Sequence, residues 1–524
     1  MKKIISINQA AKEVVVQKNV VFGTSGHRGE RGKDFTEDHV KAITEAVAKF
    51  LQDKYPGQKI KVAVGYDTRD KHSPNLETGS YTQIVADQLL AKGIDVEMAE
   101  TYVPTPVIGW YVQAEKGHTK GCIILTASHN HPKDDGYKFN PENGAPAPTE
   151  VTDKIERLAN QYFKKIPVQS TKEKGVLTRI VNLEEAFAKN MLETVKKYIK
   201  LPDYDFSKNS IVIDATHGTS AKTWRAVEKE LPGISLNIVH AEPRIDFGNL
   251  VSDPGKSELV DLKKAVVSKK ADLGLVNDPD SDRHYVVYND NGTAKRLTPE
   301  EVTLLIFEYF AKKGIPLKGI ASTVASSGIL RKATEARGVE YFETAVGFKY
   351  FAPFLEKAAK EGTVGLGVES SGGMTTSFHT LEKCGYLPGV LLLMMVKDTG
   401  KSIAELKKEY LDDVYGTFTF KETSLKYPEA KKDSIIALFK KFPKDQAAFN
   451  DFKDQYLAPL GEIKQSNLAD GVKTVFQDGS WLLLRLSGTE PIARIYSESE
   501  NKEQAESLAK QGKVILETVL SKLK

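Results

Sequence analysis

The chain is 524 residues long, too long for one core and sized for three to five domains of roughly 100–200 residues each. Its 74 lysines and arginines against 70 aspartates and glutamates leave a net charge of +4, which argues against nucleic acid as a partner. Two cysteines exclude a disulfide framework and a thiolate zinc site. The N-terminal stretch lacks the apolar run of a secretory signal, and the longest apolar stretch, Val390–Val396, is far short of the ~20 residues that cross a bilayer, so a cytoplasmic chain with no membrane partner is expected. Short β-branched runs then alternate with helical periodicities, the pattern of parallel α/β sheets. Strands are predicted at Lys59–Tyr66, Asp95–Met98 and Gly121–Thr126, with a helix near Leu76–Lys92. The pattern restarts with strands at Ser210–Asp214, Leu236–Val239 and Asp272–Val276 and helices near Ala221–Glu230 and Glu258–Lys269. A helix opened by Thr298 as cap and Pro299 in its first turn starts a third module, with strands at Gly319–Val324, Glu340–Glu343 and Thr363–Gly367 and helices near Ile329–Ala336 and Tyr350–Lys360. The remainder changes character: an alternating strand Gly416–Lys421, a hairpin Lys473–Arg485 turning at Asp478-Gly479, a strand Ile492–Tyr496 and an amphipathic helix Lys502–Lys522. The fold class is α/β, three α/β domains with mainly parallel sheets and a smaller C-terminal α+β domain, divided at 1–203, 204–308, 309–420 and 421–524.

In parallel α/β sheets ligands gather at the carboxyl ends of strands, so the polar segments that follow strands carry the chemistry. After Gly121–Thr126, Ser128 and His129 stand in a polar turn; the serine suits either an exposed nucleophile or a helix N-cap, and His129 either its activator or a structural histidine. After Asp272–Val276, the acids Asp278, Asp280 and Asp282 alternate in an extended turn, so all three can face one hard cation, with a solvated acidic loop as the alternative. Arg283 where an EF-hand needs glycine excludes that motif, and the lack of flanking histidines or cysteines favours Mg2+ over zinc. Glu369 and Ser370 lie on a glycine-flanked loop, Gly365–Gly373, suited to sugar hydroxyls. Arg485 and Arg494 bracket Ser487-Gly488-Thr489, where hydroxyls, free N–H groups and guanidiniums form a phosphate cradle unless the segment is a plain hairpin turn. The turn Phe22–Gly29 adds Thr24, Ser25 and Arg28. A nucleophile candidate, a hard-metal loop, a sugar loop and a phosphate cradle in four successive domains point to phosphoryl transfer on a sugar phosphate.

Six segments in this order, Gly23–Gly29, Thr126–Asn130 continuing to Gly136–Asn140, Asp278–Arg283, Gly347–Lys349, Glu369-Ser370 and Arg485–Pro491, resemble the phosphohexomutase superfamily, most closely its bacterial phosphoglucomutases. The resemblance covers nearly the whole chain and implies three related α/β domains and a smaller C-terminal domain around a central cleft. It implies a phosphorylated Ser128, and Mg2+ held by Asp278, Asp280 and Asp282 together with a phosphoserine oxygen. The reaction implied is interconversion of α-D-glucose 1-phosphate and glucose 6-phosphate through glucose 1,6-bisphosphate, with small-molecule sugar phosphates as the ligands. Arg28 and Lys138 would stabilise the transferring group, and Lys138 or Lys349 would act as general base. Thr24, Ser25, His129, Arg283, Glu369, Ser370, Arg485, Ser487, Gly488, Thr489 and Arg494 would contact substrate. The rivals are a phosphomannomutase or dual-specificity mutase, a silent sugar-phosphate binding protein and a metal-dependent phosphatase. The chain departs from the family pattern at Val368, where the sugar loop's first glutamate is expected, at His131-Pro132 in place of two prolines, and at Lys383-Cys384-Gly385 in place of Lys-Asp-Gly. Oligomeric state is left open.

Overall fold

The computed structural model describes residues 19–165, 175–488 and 490–523. The first domain is a six-stranded sheet of β1 (His27–Glu30), β2 (Lys61–Tyr66), β3 (Asp95–Ala99), β4 (Gly121–Leu125), β5 (Asp134–Pro141) and β6 (Leu177–Ile180), in the order β1-β5-β4-β2-β3-β6. Its centre is parallel and every residue of β3 and β4 is buried, as strands covered by helices on both faces require. The helices packed about it are α1 (Glu37–Lys54), α2 (Tyr81–Ala91), α3 (Thr105–Ala114) and α4 (Thr149–Lys164), and α5 (Leu183–Tyr198) packs between α3 and the helix Ser220–Lys229 of the second domain. The predicted helix from Leu76 starts later, because Leu76 adopts a left-handed φ of 55° in a turn and Ser80 supplies the cap, accepting from the Gln83 N–H.

The second sheet runs through β7 (Ser210–Asp214), β8 (Ser235–Val239), β9 (Leu273–Asn277), β10 (His284–Asp290) and β11 (Thr293–Leu297), in the order β11-β10-β9-β7-β8. The third comprises β12 (Leu317–Thr323), β13 (Glu340–Thr344), β14 (Val364–Val368) and β15 (Met374–Thr376), in the order β13-β12-β14-β15. Thr298 caps the intervening helix Pro299–Lys312 in a full capping box with Glu301. One arrangement recurs in all three sheets. A buried parallel strand (β4, β9, β14) ends in a polar loop, and the next strand (β5, β10, β15) returns antiparallel beside it. The serine turn, the aspartate loop and the sugar-type loop therefore occupy equivalent sheet ends.

The last sheet is antiparallel throughout: β16 (Thr419–Lys426), β17 (Ile463–Asn467), β18 (Val472–Phe476), β19 (Trp481–Leu486) and β20 (Ile492–Ser499), ordered β16-β20-β19-β18-β17. Its first strand begins three residues later than the alternation suggested, because Asp413–Tyr415 is still helical and Gly416 turns the chain at φ 80°. The helix Lys502–Lys522 closes the domain, capped by Asn501. No helix among the described residues is long and apolar enough to cross a membrane.

Candidate active site

Ser128 sits one residue beyond the Thr126-Ala127 exit from β4, 1% exposed and with a left-handed φ of 54°. No helix follows it, so the N-cap alternative falls away; the chain turns instead into β5. Two groups hold this unfavourable backbone. The Thr126 hydroxyl accepts the Ser128 N–H at 2.8 Å, and Arg69 donates to four carbonyls of the turn, those of Ser128, Asn130, His131 and Asp134. Arg69 is wholly buried, with Nε on Asp67 at 3.1 Å and its guanidinium 4.9 Å over the Phe247 ring of the second domain. The Ser128 hydroxyl thus projects from a rigid turn and donates to Asp278 Oδ2 at 3.0 Å. His129 Nδ1 lies 3.4 Å from the same hydroxyl. Burial first, then the Arg283 and Arg28 charges, push that imidazole far below its ordinary pKa, so it is neutral.

Asp278, Asp280 and Asp282 are all buried and each offers an oxygen within 4.8 Å of the others. Lys138 on β5 donates to Asp280 at 2.7 Å and to Asp282 at 3.2 Å, Thr105 at the start of α3 donates to Asp280 at 2.7 Å, and Lys383 lies 3.1 Å from Asp282. These contacts use the Oδ2 atoms only. Asp280 Oδ1 and Asp282 Oδ1 are buried without a hydrogen-bond partner, an arrangement that is unfavourable unless a cation faces them. The residues therefore fit a hard divalent ion, with oxygen donors alone. Burial and the neighbouring Asp280 and Asp282 raise the Asp278 carboxyl well above its usual range. Burial acts the same way on Asp282, but Lys383, Lys138 and Arg283 outweigh it and hold that group ionised.

The aspartate loop and the sugar-type loop are tied together. Arg283 pairs with Gly373 in a β-bridge and donates to the Ser371 carbonyl, His284 donates its N–H to Gly372, and the Tyr285 hydroxyl donates to the Ser370 carbonyl. Glu369 heads this loop, its carboxyl raised by burial. Val368, the apparent departure, points into the core of β14 and opposes Met374, so it leaves no gap on the loop. Gly385 is needed for the turn after Lys383: a Cβ there would meet Asn277 Nδ2 at 2.4 Å. Gly26, at φ 82°, lets the Thr24-Ser25 turn pass against the Tyr137 carbonyl, and Arg28 reaches Asn130 at 3.4 Å. Lys349 lies in the single turn Phe348–Tyr350, its Nζ 5.4 Å over the Tyr350 ring.

The cradle of the last domain stands apart from this cluster. Arg485 and Arg494 are cross-strand neighbours on β19 and β20, and each turns to an acid of its own domain, Asp470 at 2.7 Å and Glu422 at 3.0 Å. Ser487 closes the turn through its N–H to Ile492 and accepts from Glu490 at its hydroxyl, Gly488 faces open space, and Thr489 lies outside the described residues. Sequence reasoning missed Asp67, Arg69, Thr105 and Lys383. The first two follow β2 at its carboxyl end, where the same strand-end rule would have found them.

Models of the phosphoglucomutase/phosphomannomutase family match the chain in order: α/β/α domain I at residues 19–165, domain II at 185–292, domain III at 298–414 and the C-terminal domain at 426–512. A phosphoglucosamine mutase of Carboxydothermus hydrogenoformans is 30% identical over 494 residues, covering 93% of this chain and 97% of its own. A phosphoglucomutase of Komagataeibacter xylinus is 26% identical over 519 residues, covering 93% and 88%. The crystal structure of a phosphoglucomutase/phosphomannomutase family protein from Burkholderia thailandensis shares the fold, with a TM-score of 0.74 over 96% of this chain and 98% of its own at 20% identity. With four domains matched in order and a 30% identical relative spanning nearly its whole length, the chain belongs to the phosphoglucomutase/phosphomannomutase family of the phosphohexomutase superfamily, enzymes that isomerise by phosphoryl transfer.

Proposed function

We propose that the enzyme interconverts α-D-glucose 1-phosphate and glucose 6-phosphate, with Ser128 as phosphoryl carrier and glucose 1,6-bisphosphate as intermediate. The observation that carries this reading is the Ser128 hydroxyl, fixed by Arg69 and Thr126 and aimed at Asp278 from 3.0 Å. In the forward direction the sugar's free hydroxyl oxygen attacks the phosphorus on Ser128, the serine O–P bond breaks, and the hydroxyl proton passes to a base. Lys138 already donates to Asp280 and Asp282, whereas Lys349 sits beside the sugar loop, where the Glu369 carboxylate accepts the Gly347 N–H. That placement favours Lys349 as the base. Arg28 and Arg283, whose charges both act on His129 beside Ser128, would bring positive charge to the transferring group. Mg2+ held by Asp278, Asp280 and Asp282 would supply Lewis-acid neutralisation of the phosphoryl oxygens. After the intermediate reorients, the other phosphoryl returns to Ser128.

Arg494, with Arg485 and the Ser487–Thr489 turn, is the proposed grip on the phosphate that is not being transferred. Because Glu422 already pairs with Arg494, substrate phosphate displaces that carboxylate, which sets part of the contact's value aside. A charge-assisted phosphate contact contributes about 1.5–3 kcal/mol, so Arg494→Ala is expected to lower kcat/KM by roughly ten- to a few hundredfold, both constants changing if the grip also closes the cleft. Steady-state kinetics indistinguishable from the parent's would remove Arg494 from the site.

Glucose as the sugar is tested by a coupled assay on glucose 1-phosphate, mannose 1-phosphate and glucosamine 1-phosphate side by side, with the highest kcat/KM expected for glucose. The 30% identical relative named a phosphoglucosamine mutase favours a second reading, and preference for the amino sugar would put that reading in place of the first.

A further inference from the structure

His72 is a fully buried imidazole that no step of the proposed reaction touches. Its Nδ1 lies 2.9 Å from Asp67 Oδ1 and its Nε2 3.0 Å from Asp135 Oδ1, and all three side chains are 0% exposed. Both ring nitrogens face carboxylate oxygens, which can only accept, so both must carry hydrogen and the ring is an imidazolium. Its partners stand at the two ends of the serine turn: Asp67 beyond β2, and Asp135 in β5 where the turn ends.

Asp67 then reaches Ser128 from both sides. Its Oδ2 accepts from the Thr126 hydroxyl at 2.6 Å, and that hydroxyl accepts the Ser128 N–H. The same oxygen accepts Arg69 Nε, and Arg69 Nη2 donates to the Ser128 carbonyl at 2.7 Å. At the other end, Asp135 Oδ1 also takes the Gly136 N–H, while Arg31 Nε approaches Oδ2 only to 3.5 Å. His72 is thus the closest cationic partner of Asp135 and the bridge between the acids that anchor the turn. Charged and titratable groups facing the ring are Asp67, Asp135, Arg69 and Arg31, with the Tyr81 ring 6.4 Å away. Burial alone would lower its pKa, yet Asp135 and Asp67 together raise it to about 10.

We propose that His72 is a positioning residue for the phosphoryl carrier, an imidazolium strut that sets where the Ser128 hydroxyl stands. The inference rests on reading Ser128 as that carrier. The groups proposed to hold the sugar and its other phosphate, Glu369, Ser370, Arg485 and Arg494, lie on other elements, so the effect falls mainly on kcat. His72→Gln keeps hydrogen-bonding capacity but loses the charge; kcat is expected to drop by roughly ten- to a hundredfold, with KM for glucose 1-phosphate within about threefold of the parent's. The double variant His72→Gln/Asp135→Asn removes the stranded negative charge along with the positive one and is expected to recover most of the lost kcat. In the parent, labelled with 13C-histidine, one imidazole is expected to remain protonated above pH about 8.5, where ordinary histidines are neutral. This last measurement decides the matter if the variants do not fold. The proposal is overturned by a His72→Gln enzyme within twofold of the parent's kcat, by failure of the double variant to recover activity, or by titration of every imidazole below that pH. Ser128→Ala assayed in parallel separates the two readings: an active Ser128→Ala enzyme sinks the carrier, while a silent one beside an unimpaired His72→Gln enzyme sinks only the strut.

Discussion

Replacement of Ser128 by alanine is expected to lower kcat by about four orders of magnitude or more while leaving the melting curve close to the parent's. The two halves of that expectation come from different features of the turn. Its hydroxyl is the group from which the phosphoryl would be given and to which it would return, and the neighbouring His129 is a neutral imidazole 3.4 Å away with no geometry of its own toward Asp278. The fold loses the hydrogen bond to Asp278, worth about 1 kcal/mol, and the long contact with His129 Nδ1. Alanine meets the same strain as serine at φ 54°, and the restraints on that backbone, Arg69 to the carbonyl and Thr126 to the N–H, are untouched. Intact-mass measurement provides a second reading: a fraction of the parent is expected to carry one additional phosphate, absent from the alanine variant. Turnover within tenfold of the parent would remove Ser128 from the reaction.

The positions of the chemistry were legible because apolar strands end abruptly. β4 and the run Leu273–Val276 of β9 are buried and apolar throughout, and the polar residues that follow them open the loops that carry Ser128 and the three aspartates. The helix Lys502–Lys522 was legible for a similar reason, one apolar face and a polar cap. Other parts were hidden by polarity that is satisfied only at long range. β5 contains Lys138 and Asn140, both buried, the first paired to the aspartates of the second domain and the second donating to Glu382 of the third. In sequence such residues mark a surface strand or a loop. Asp67, Arg69 and His72 were hidden in the same way: a run of charged and polar residues after a strand reads as solvated, and nothing local says that Arg69 and His72, besides pairing with Asp67, reach the serine-turn carbonyls and Asp135 some sixty residues away. Ser128 itself was ambiguous, since a serine beyond a strand caps a helix as readily as it presents a nucleophile; what resolved it was the antiparallel return of β5, a feature set by pairing with β4 and β1.

The aspartate triad makes the second large-effect prediction, because its charges are so largely opposed. Three carboxylates face Lys138, Lys383 and Arg283, with Lys383 shared with Glu382 at 3.7 Å, so most of the cluster's negative charge is already opposed and its affinity for a dication depends on the geometry of the oxygens left over. Asp280 provides one of them, Oδ1, because Lys138 and Thr105 both occupy its Oδ2. Asp280→Asn keeps the shape but removes one negative charge from a buried site, leaving Lys138 with Asp282 as its remaining carboxylate. Mg2+ affinity is expected to fall by at least about tenfold in titration calorimetry, and kcat by a larger factor, since neutralisation of the transferring phosphoryl is lost along with the bound ion. Chelator treatment of the parent is expected to stop turnover, and added Mg2+ to restore it. A chelated enzyme that remains fully active, or an Asp280→Asn protein with the parent's Mg2+ isotherm, would make the three acids partners of Lys138, Lys383 and Arg283 alone, holding the first, second and third domains together without a metal.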